Sequence, residues 1–291
     1  MHFPQIKHQA FVLLVLLFAL SACNTVNGPS SLGLSLSDEP LVGKFVWHDL
    51  ITDDTKAAQH FYSGLFGWTF EETTRPGGGP YILAKLNGHY VGGIVHESDP
   101  DDKINYSRWL GYLSVANMEK ALKTTRSAGG KIAVDARELG SVGQVAAISD
   151  PQGAVLGLVR SNHGDPDDSQ PAALGHIVWN ELLADDDQAA ASFYEALAGY
   201  KIQTIKRRGG QYIKLNADGR ERAGIMQNPI ENYPPTWLTY FAVADPVAAA
   251  AKVESLGGKV LLPPSAELRE STIAVVEDPS GAVLVLQQWP L

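Results

Sequence analysis

Two short stretches carry side chains that could act on a ligand. Trp47-x-Asp49 and Trp179-x-Glu181 each set an indole and a carboxylate two residues apart. Residues two apart on a strand share a face, so each stretch presents an aromatic wall and an acid to the same side. An acid facing inward is costly unless it is paired, hydrogen-bonded or wetted by a ligand cavity. Such a pair suits a small planar or cationic organic molecule. As a general base, Asp49 or Glu181 would need a raised pKa and a positioned substrate, and the sequence shows neither. Trp109 and Trp237 open later strands, where they line the mouth of a pocket or brace a junction between modules. Packing is the competing reading for all six residues. Repeated indoles fill cores, and the acids bond a neighbouring strand or cap a turn. The chain has no serine nucleophile elbow, no phosphate loop and no Cys-His pair.

The elements that position these residues come twice. Phe45-Val-Trp-His-Asp-Leu-Ile-Thr-Asp-Asp54 returns as Ile177-Val-Trp-Asn-Glu-Leu-Leu-Ala-Asp-Asp186. Asp150-Pro-Gln-Gly-Ala-Val-Leu156 returns as Asp278-Pro-Ser-Gly-Ala-Val-Leu284. Each copy opens with a β-branched and aromatic strand, and Asp54 or Asp186 then caps a helix. Ala58, Phe61, Tyr62 and Leu65 follow at i, i+3, i+4 and i+7, as do Ala190, Phe193, Tyr194 and Leu197. That spacing makes one apolar face, so the Phe-Tyr pair is core packing. Gly67 and Gly199 stop these helices. Asn87-Gly88 and Asp218-Gly219 turn hairpins. A second strand and helix begin at Trp109 and Trp237, and Gly129-Gly-Lys131 and Gly257-Gly-Lys259 end those helices. The unit is βαβββ-like, four times over.

With 291 residues, 45% hydrophobic and 19% charged, the chain is globular and long enough for about two domains. A net charge of −9 argues against nucleic acid. Lys206-Arg207-Arg208 reads as a solvated hairpin. At the N-terminus, Lys7 precedes an apolar run from Ala10 to Leu20, too short to span a bilayer comfortably and suited to a signal peptide. Leu20-Ser21-Ala22-Cys23 resembles a bacterial lipobox, which implies cleavage after residue 22 and lipid on Cys23, the chain's one cysteine. The expected location is the bacterial cell envelope, lipid-anchored at the periplasmic face. Asn24 favours the outer membrane by analogy with sorting rules. Residues 23–41 read as a flexible tether.

The combined pattern resembles the vicinal oxygen chelate superfamily, the fold of glyoxalase I, extradiol dioxygenases and bleomycin-resistance proteins. The residues that carry it are Trp47-x-Asp49-Leu50, Asp54, Phe61-Tyr62, Leu65-Phe66-Gly67-Trp68 and Asp150-Pro-x-Gly153, with their counterparts in the second copy. The resemblance implies an α+β fold of two tandem domains, residues 42–161 and 173–291, joined by a linker at 162–172. Each domain would pair two βαβββ modules into a half-open eight-stranded cup with helices outside. Pairing of the copies within one chain is expected, with a dimer as the alternative.

Enzymes of that superfamily hold one divalent metal per cup with His, Gln or Glu. The resemblance puts those ligand positions at Trp47, Leu110 and Gly157, and at Trp179, Leu238 and Val285. None of these side chains can ligate such an ion. A one-residue shift reaches His48 and Asn180, which strand alternation turns away from the cup. The expectation is therefore no metal ligand, no cofactor and no catalytic residue. Binding or sequestration of a small organic molecule follows, with Trp47, Asp49, Trp109, Trp179, Glu181 and Trp237 as candidate contacts. The alternatives are a metal-dependent lyase, isomerase or dioxygenase, and a non-catalytic envelope scaffold.

Overall fold

The computed structural model describes residues 36–290 apart from 38, 75–77, 102, 141, 170, 171, 208, 209 and 268. The apolar N-terminal run, Cys23 and most of the tether lie outside the described residues.

The first copy contains β1 (Phe45–Thr52), α1 (Thr55–Phe66), β2 (Thr69–Thr74), β3 (Pro80–Leu86), β4 (His89–His96), β5 (Arg108–Ser114), α2 (Met118–Ser127), β6 (Lys131–Glu138), β7 (Gly143–Ser149) and β8 (Val155–Ser161). The second contains β9 (Ile177–Ala184), α3 (Asp187–Ala198), β10 (Lys201–Arg207), β11 (Gly210–Ala217), β12 (Arg220–Gln227), β13 (Thr236–Val243), α4 (Pro246–Val253), β14 (Lys259–Leu262), β15 (Ile273–Glu277) and β16 (Val283–Gln288). Each copy forms one eight-stranded mixed sheet, ordered β2-β3-β4-β1-β5-β8-β7-β6 and β10-β11-β12-β9-β13-β16-β15-β14. The fold is thus α+β, with two tandem domains and open cups. Within each copy the two modules meet through an antiparallel pair, β1 with β5 and β9 with β13.

The capping signals work as the sequence predicts. Asp54 accepts from the amides of Lys56 and Ala57, and Asp186 from those of Gln188 and Ala189. Gly67 and Gly199 end their helices at φ 74° and 71°, a left-handed conformation that costs glycine little.

The helices lie on the convex sides, and the two copies dock there, α1 against α4 and α2 against α3. Each core therefore draws on both copies. One joins Leu113, Leu122, Ile148 and Leu156 to Phe193, Tyr194, Ile213 and Trp237. The other joins Phe61, Tyr62, Trp68 and Trp109 to Phe241, Val253, Val276 and Leu284. Glycine permits the close approach. A Cβ on Gly258 would lie 2.6 Å from the Phe61 ring and 2.5 Å from the Glu277 carbonyl.

The repeated motifs meet at this junction. Asp278 Oδ1 accepts from the amides of Ser280 and Ala282, closing its own turn, and Oδ2 accepts from the hydroxyl of Tyr62 at 3.1 Å. Trp109 Nε1 donates to the same Tyr62 oxygen at 2.9 Å. The mirror set is Trp237 to Tyr194 at 2.8 Å and Tyr194 to Asp150 at 3.2 Å. Trp109 and Trp237 are 5% and 8% exposed and belong to the cores between the copies. Their candidacy as cup contacts is therefore corrected. Register pairs Trp109 with Leu50 and Trp237 with Leu182, both on the helix-facing side, because each lies one residue out of phase with the inward positions Leu110 and Leu238.

Burial drives the Asp278 carboxyl up to about 6, against the opposing hydrogen bonds from Ala282, Tyr62, Ser280 and Gly281. A raised native pKa gives stability that is complete below about pH 4 and lost as pH rises through about 6. The difference is roughly 3 kcal/mol, from about 1.4 kcal/mol per pKa unit. Asp278→Asn keeps an oxygen acceptor for the turn and removes the titration. Urea unfolding between pH 4 and 7 is expected to show a shallower pH dependence for D278N than for the wild type. Identical slopes would exclude Asp278 as the source.

The described end of the tether, at residues 36–41, and the linker are tied more firmly than their composition predicts. Leu36 bridges Pro166, and buried Asp165 accepts from Leu41 N and Ser114 Oγ, each at 2.6 Å. Asp168 joins Lys44 of the first copy to Arg222 of the second, both at 2.9 Å. Although burial pushes its carboxyl up, the Arg222 and Lys44 hydrogen bonds outweigh that and hold it at about 2.

Candidate functional site

The concave face of the first cup is built on strand register. Trp47 stands opposite Tyr112, which stands beside Gly157, so β1, β5 and β8 contribute one row. Asp49 lies one step along, between Gly93 and Leu110. A bulge between Phe45 and Trp47 turns Phe45 off this face and toward Trp237, 5.0 Å away. Trp47 and Asp49 thus share the interior, as their spacing predicts.

Asp49 is a caged acceptor. Its Oδ1 accepts from Tyr81 Oη at 2.6 Å and Trp47 Nε1 at 3.0 Å, and its Oδ2 from Tyr112 Oη at 3.0 Å. Trp47 Nε1 also reaches Tyr81 Oη at 2.9 Å. Glycines make the room. A Cβ on Gly93 would lie 1.9 Å from Tyr81 Oη, and one on Gly157 2.3 Å from the Tyr112 ring. Burial first, and then the Asp49 charge, push the Tyr81 phenol well above its ordinary value, so it stays a donor. Asp49 itself is 8% exposed, whereas Trp47, Tyr81 and Tyr112 keep part of their surface open.

The second cup repeats the plan with its tyrosines more deeply buried. Trp179 Nε1 donates to Tyr212 Oη at 3.0 Å, and Tyr240 Oη to Glu181 Oε1 at 2.5 Å. Arg269 Nη2 donates to both Glu181 oxygens, at 2.8 and 2.6 Å. The guanidinium lies 5.5 Å from the Tyr240 ring and 5.9 Å from that of Tyr212. Val285 replaces the glycine of the first cup and is fully buried, and Tyr212 and Tyr240 are only 3% and 2% exposed. Leu183, Leu238, Tyr240, Ile273 and Val285 form a small apolar cluster here.

The four tyrosines escaped the sequence reading, though a trace was present. Tyr112 and Tyr240 each stand three residues after the repeated tryptophan of their module. Only the cross-strand register brings them beside Asp49 and Glu181. Arg269 left no such trace. It lies in a loop and reaches Glu181 because Arg269, Glu270 and Ser271 all take left-handed backbone, at φ 48°, 55° and 65°. Such consecutive non-glycine residues cost energy that the surrounding structure must offset.

The sequence profile of the Glyoxalase/Bleomycin resistance protein/Dioxygenase superfamily matches residues 44–158 and again 173–286. The chain belongs to this superfamily. Over 247 residues it is 35% identical to "Putative glyoxylase CFP32" of Mycobacterium tuberculosis, covering 84% of this chain and 94% of that protein. It is 28% identical over 254 residues to the anthracycline biosynthesis protein DnrV of Streptomyces peucetius, covering 82% and 91%. Among solved structures, the Mn(II)-bound glyoxalase of Novosphingobium aromaticivorans superposes with a TM-score of 0.57 at 15% identity, covering 84% of this chain and 81% of that one. At that identity the likeness concerns the fold.

Members of this superfamily with a metal need a converging donor set, and the cups of this chain do not supply one. The cup-facing row Trp47, Tyr112 and Gly157 offers one phenol, already engaged with Asp49, and the row Trp179, Tyr240 and Val285 offers one engaged with Glu181. Among the described residues no three of His, Cys, Asp and Glu converge. His48 points away from the cup as alternation predicts, and meets Asn180 Oδ1 across the domain junction at 2.8 Å. Burial lowers its pKa to about 4, so it is neutral at physiological pH. The residues present do not fit a divalent metal.

Proposed function

We propose that this superfamily member binds a small planar aromatic molecule in the first cup, without a metal. One contrast supports the reading: the two tyrosines beside the acid stay partly exposed in the first cup and are buried in the second, while the tryptophan is partly exposed in both. Trp47, Tyr81 and Tyr112 supply flat apolar surface, and the caged Asp49 fixes their orientation. Preorganised walls with few oriented polar groups are the common make-up of small-molecule sites. The relative named for anthracycline biosynthesis is consistent with a planar polycyclic ligand. The proposed setting is the bacterial envelope, with the chain held by lipid on Cys23.

Thermal-shift screening of the purified protein with planar aromatic compounds tests the binding. A ligand at a hundred times its Kd should stabilise by about 2.7 kcal/mol. Trp47→Ala and Gly157→Val are expected to weaken that ligand at least tenfold, the latter by importing the side chain that fills the matching position of the second cup. Chelation with EDTA should change nothing. Binding that survives both substitutions, or is lost on chelation, would overturn the proposal. Cys23→Ser should move the protein from the membrane fraction to the soluble one, and persistence in the membrane would overturn the anchorage.

A further inference from the structure

The second cup carries cations that its own acid does not use up. Arg269 spends Nη2 on Glu181, and among the described residues Nε and Nη1 have no acceptor. Its side chain is 29% exposed, whereas Glu181 beneath it is 1% exposed. The free donors therefore sit on the solvent side of the pair. Arg207, at the end of β10, stands over the Tyr212 ring at 3.8 Å, and Arg269 approaches the same ring at 5.9 Å. Among the described residues Arg207 has no carboxylate partner. Tyr212 thus supports two guanidiniums, next to the partly exposed Trp179.

The two guanidiniums thus meet at one ring in a chain of net charge −9. Glu181 neutralises one charge from below, which makes the burial of Arg269 tolerable and fixes its plane. The outward edge keeps N–H donors of the geometry that matches a carboxylate. Strain in the Arg269–Ser271 backbone is what brings the arginine here, and such strain gathers at sites that use it.

We infer that the mouth of the second cup is an anion site for a small aromatic carboxylate. The carboxylate bridges Arg269 and Arg207, and the ring lies against Trp179. This site is separate from the first cup in residues and opposite to a cation-binding role for Glu181.

Calorimetric titration of the purified full chain with benzoate tests it, with benzamide as the neutral isostere. Benzoate should bind at least tenfold more tightly than benzamide, and its affinity should fall with added salt. Arg207→Gln and Arg269→Gln should each reduce affinity at least tenfold. Arg207 makes no contact with Glu181, so R207Q keeps the test valid if R269Q perturbs the fold. Trp47→Ala should leave benzoate binding unchanged. Equal binding of benzoate and benzamide, or full affinity in R207Q, overturns the inference. Benzoate binding lost in W47A and kept in R207Q assigns the ligand to the first cup, overturning this site and sparing the reading of the other.

Discussion

Truncating Trp109 to alanine should destabilise the protein by about 3–5 kcal/mol, the range for a large aromatic removed from a core. The residue is 5% exposed and packs edge-on against Tyr62 at 5.5 Å and near Phe241 at 5.1 Å. Its loss also deprives the Tyr62 hydroxyl of the Trp109 donor and loosens the bond to Asp278. Because Tyr62 and Asp278 belong to different copies, the damage falls on their docking. Guanidinium unfolding of W109A should show a lower midpoint and, if the copies uncouple, two transitions in place of one. Trp47→Ala should behave in the opposite way. That indole is partly exposed, so the stability cost should be smaller, and the proposed ligand binding should weaken. A W109A protein as stable as the wild type would contradict the interdomain role.

Removing the acid of the second cup should have an effect of similar size. Glu181→Ala strips Arg269 of its ion-pair partner and Tyr240 of its acceptor, and breaking a buried pair from one side costs about 3–5 kcal/mol. It also frees the left-handed Arg269–Ser271 turn from its anchor. The double substitution Glu181→Leu with Arg269→Met should recover much of the loss, since apolar replacement of a whole buried pair is often neutral. Urea denaturation of E181A and of the double variant measures this. If E181A is as stable as the double variant, the ion pair is not what holds the turn.

These expectations separate two sets of tryptophans that the sequence could not tell apart. Trp47 and Trp109 are both repeated, strand-borne and near a module start. One lines a cup and the other binds two domains together. The difference is a single step of strand phase, fixed by the pairing of Leu50 with Trp109 and of Trp47 with Tyr112. Phase along one strand follows from alternation, but phase between strands depends on which residues hydrogen-bond across. The tyrosine cage around Asp49 was hidden for the same reason, since Tyr81 and Tyr112 come from β3 and β5.

The sequence alone determined the duplicated fold, the helix caps, the inward Trp-acid pairs and the lack of metal-ligating side chains at the positions to which the family resemblance points. These properties are local, set by residue type, by period and by repetition within the chain. Tertiary structure alone decided that the Phe-Tyr, Asp-Pro-x-Gly and second-module tryptophan motifs join opposite copies. It also decided that the tyrosines beside the acid are partly exposed in one cup and buried in the other, where an arginine pairs with that acid. Those outcomes rest on contacts between residues far apart in the chain, such as Tyr62 with Asp278 and Arg269 with Glu181, and spacing in the sequence carries no record of such distances.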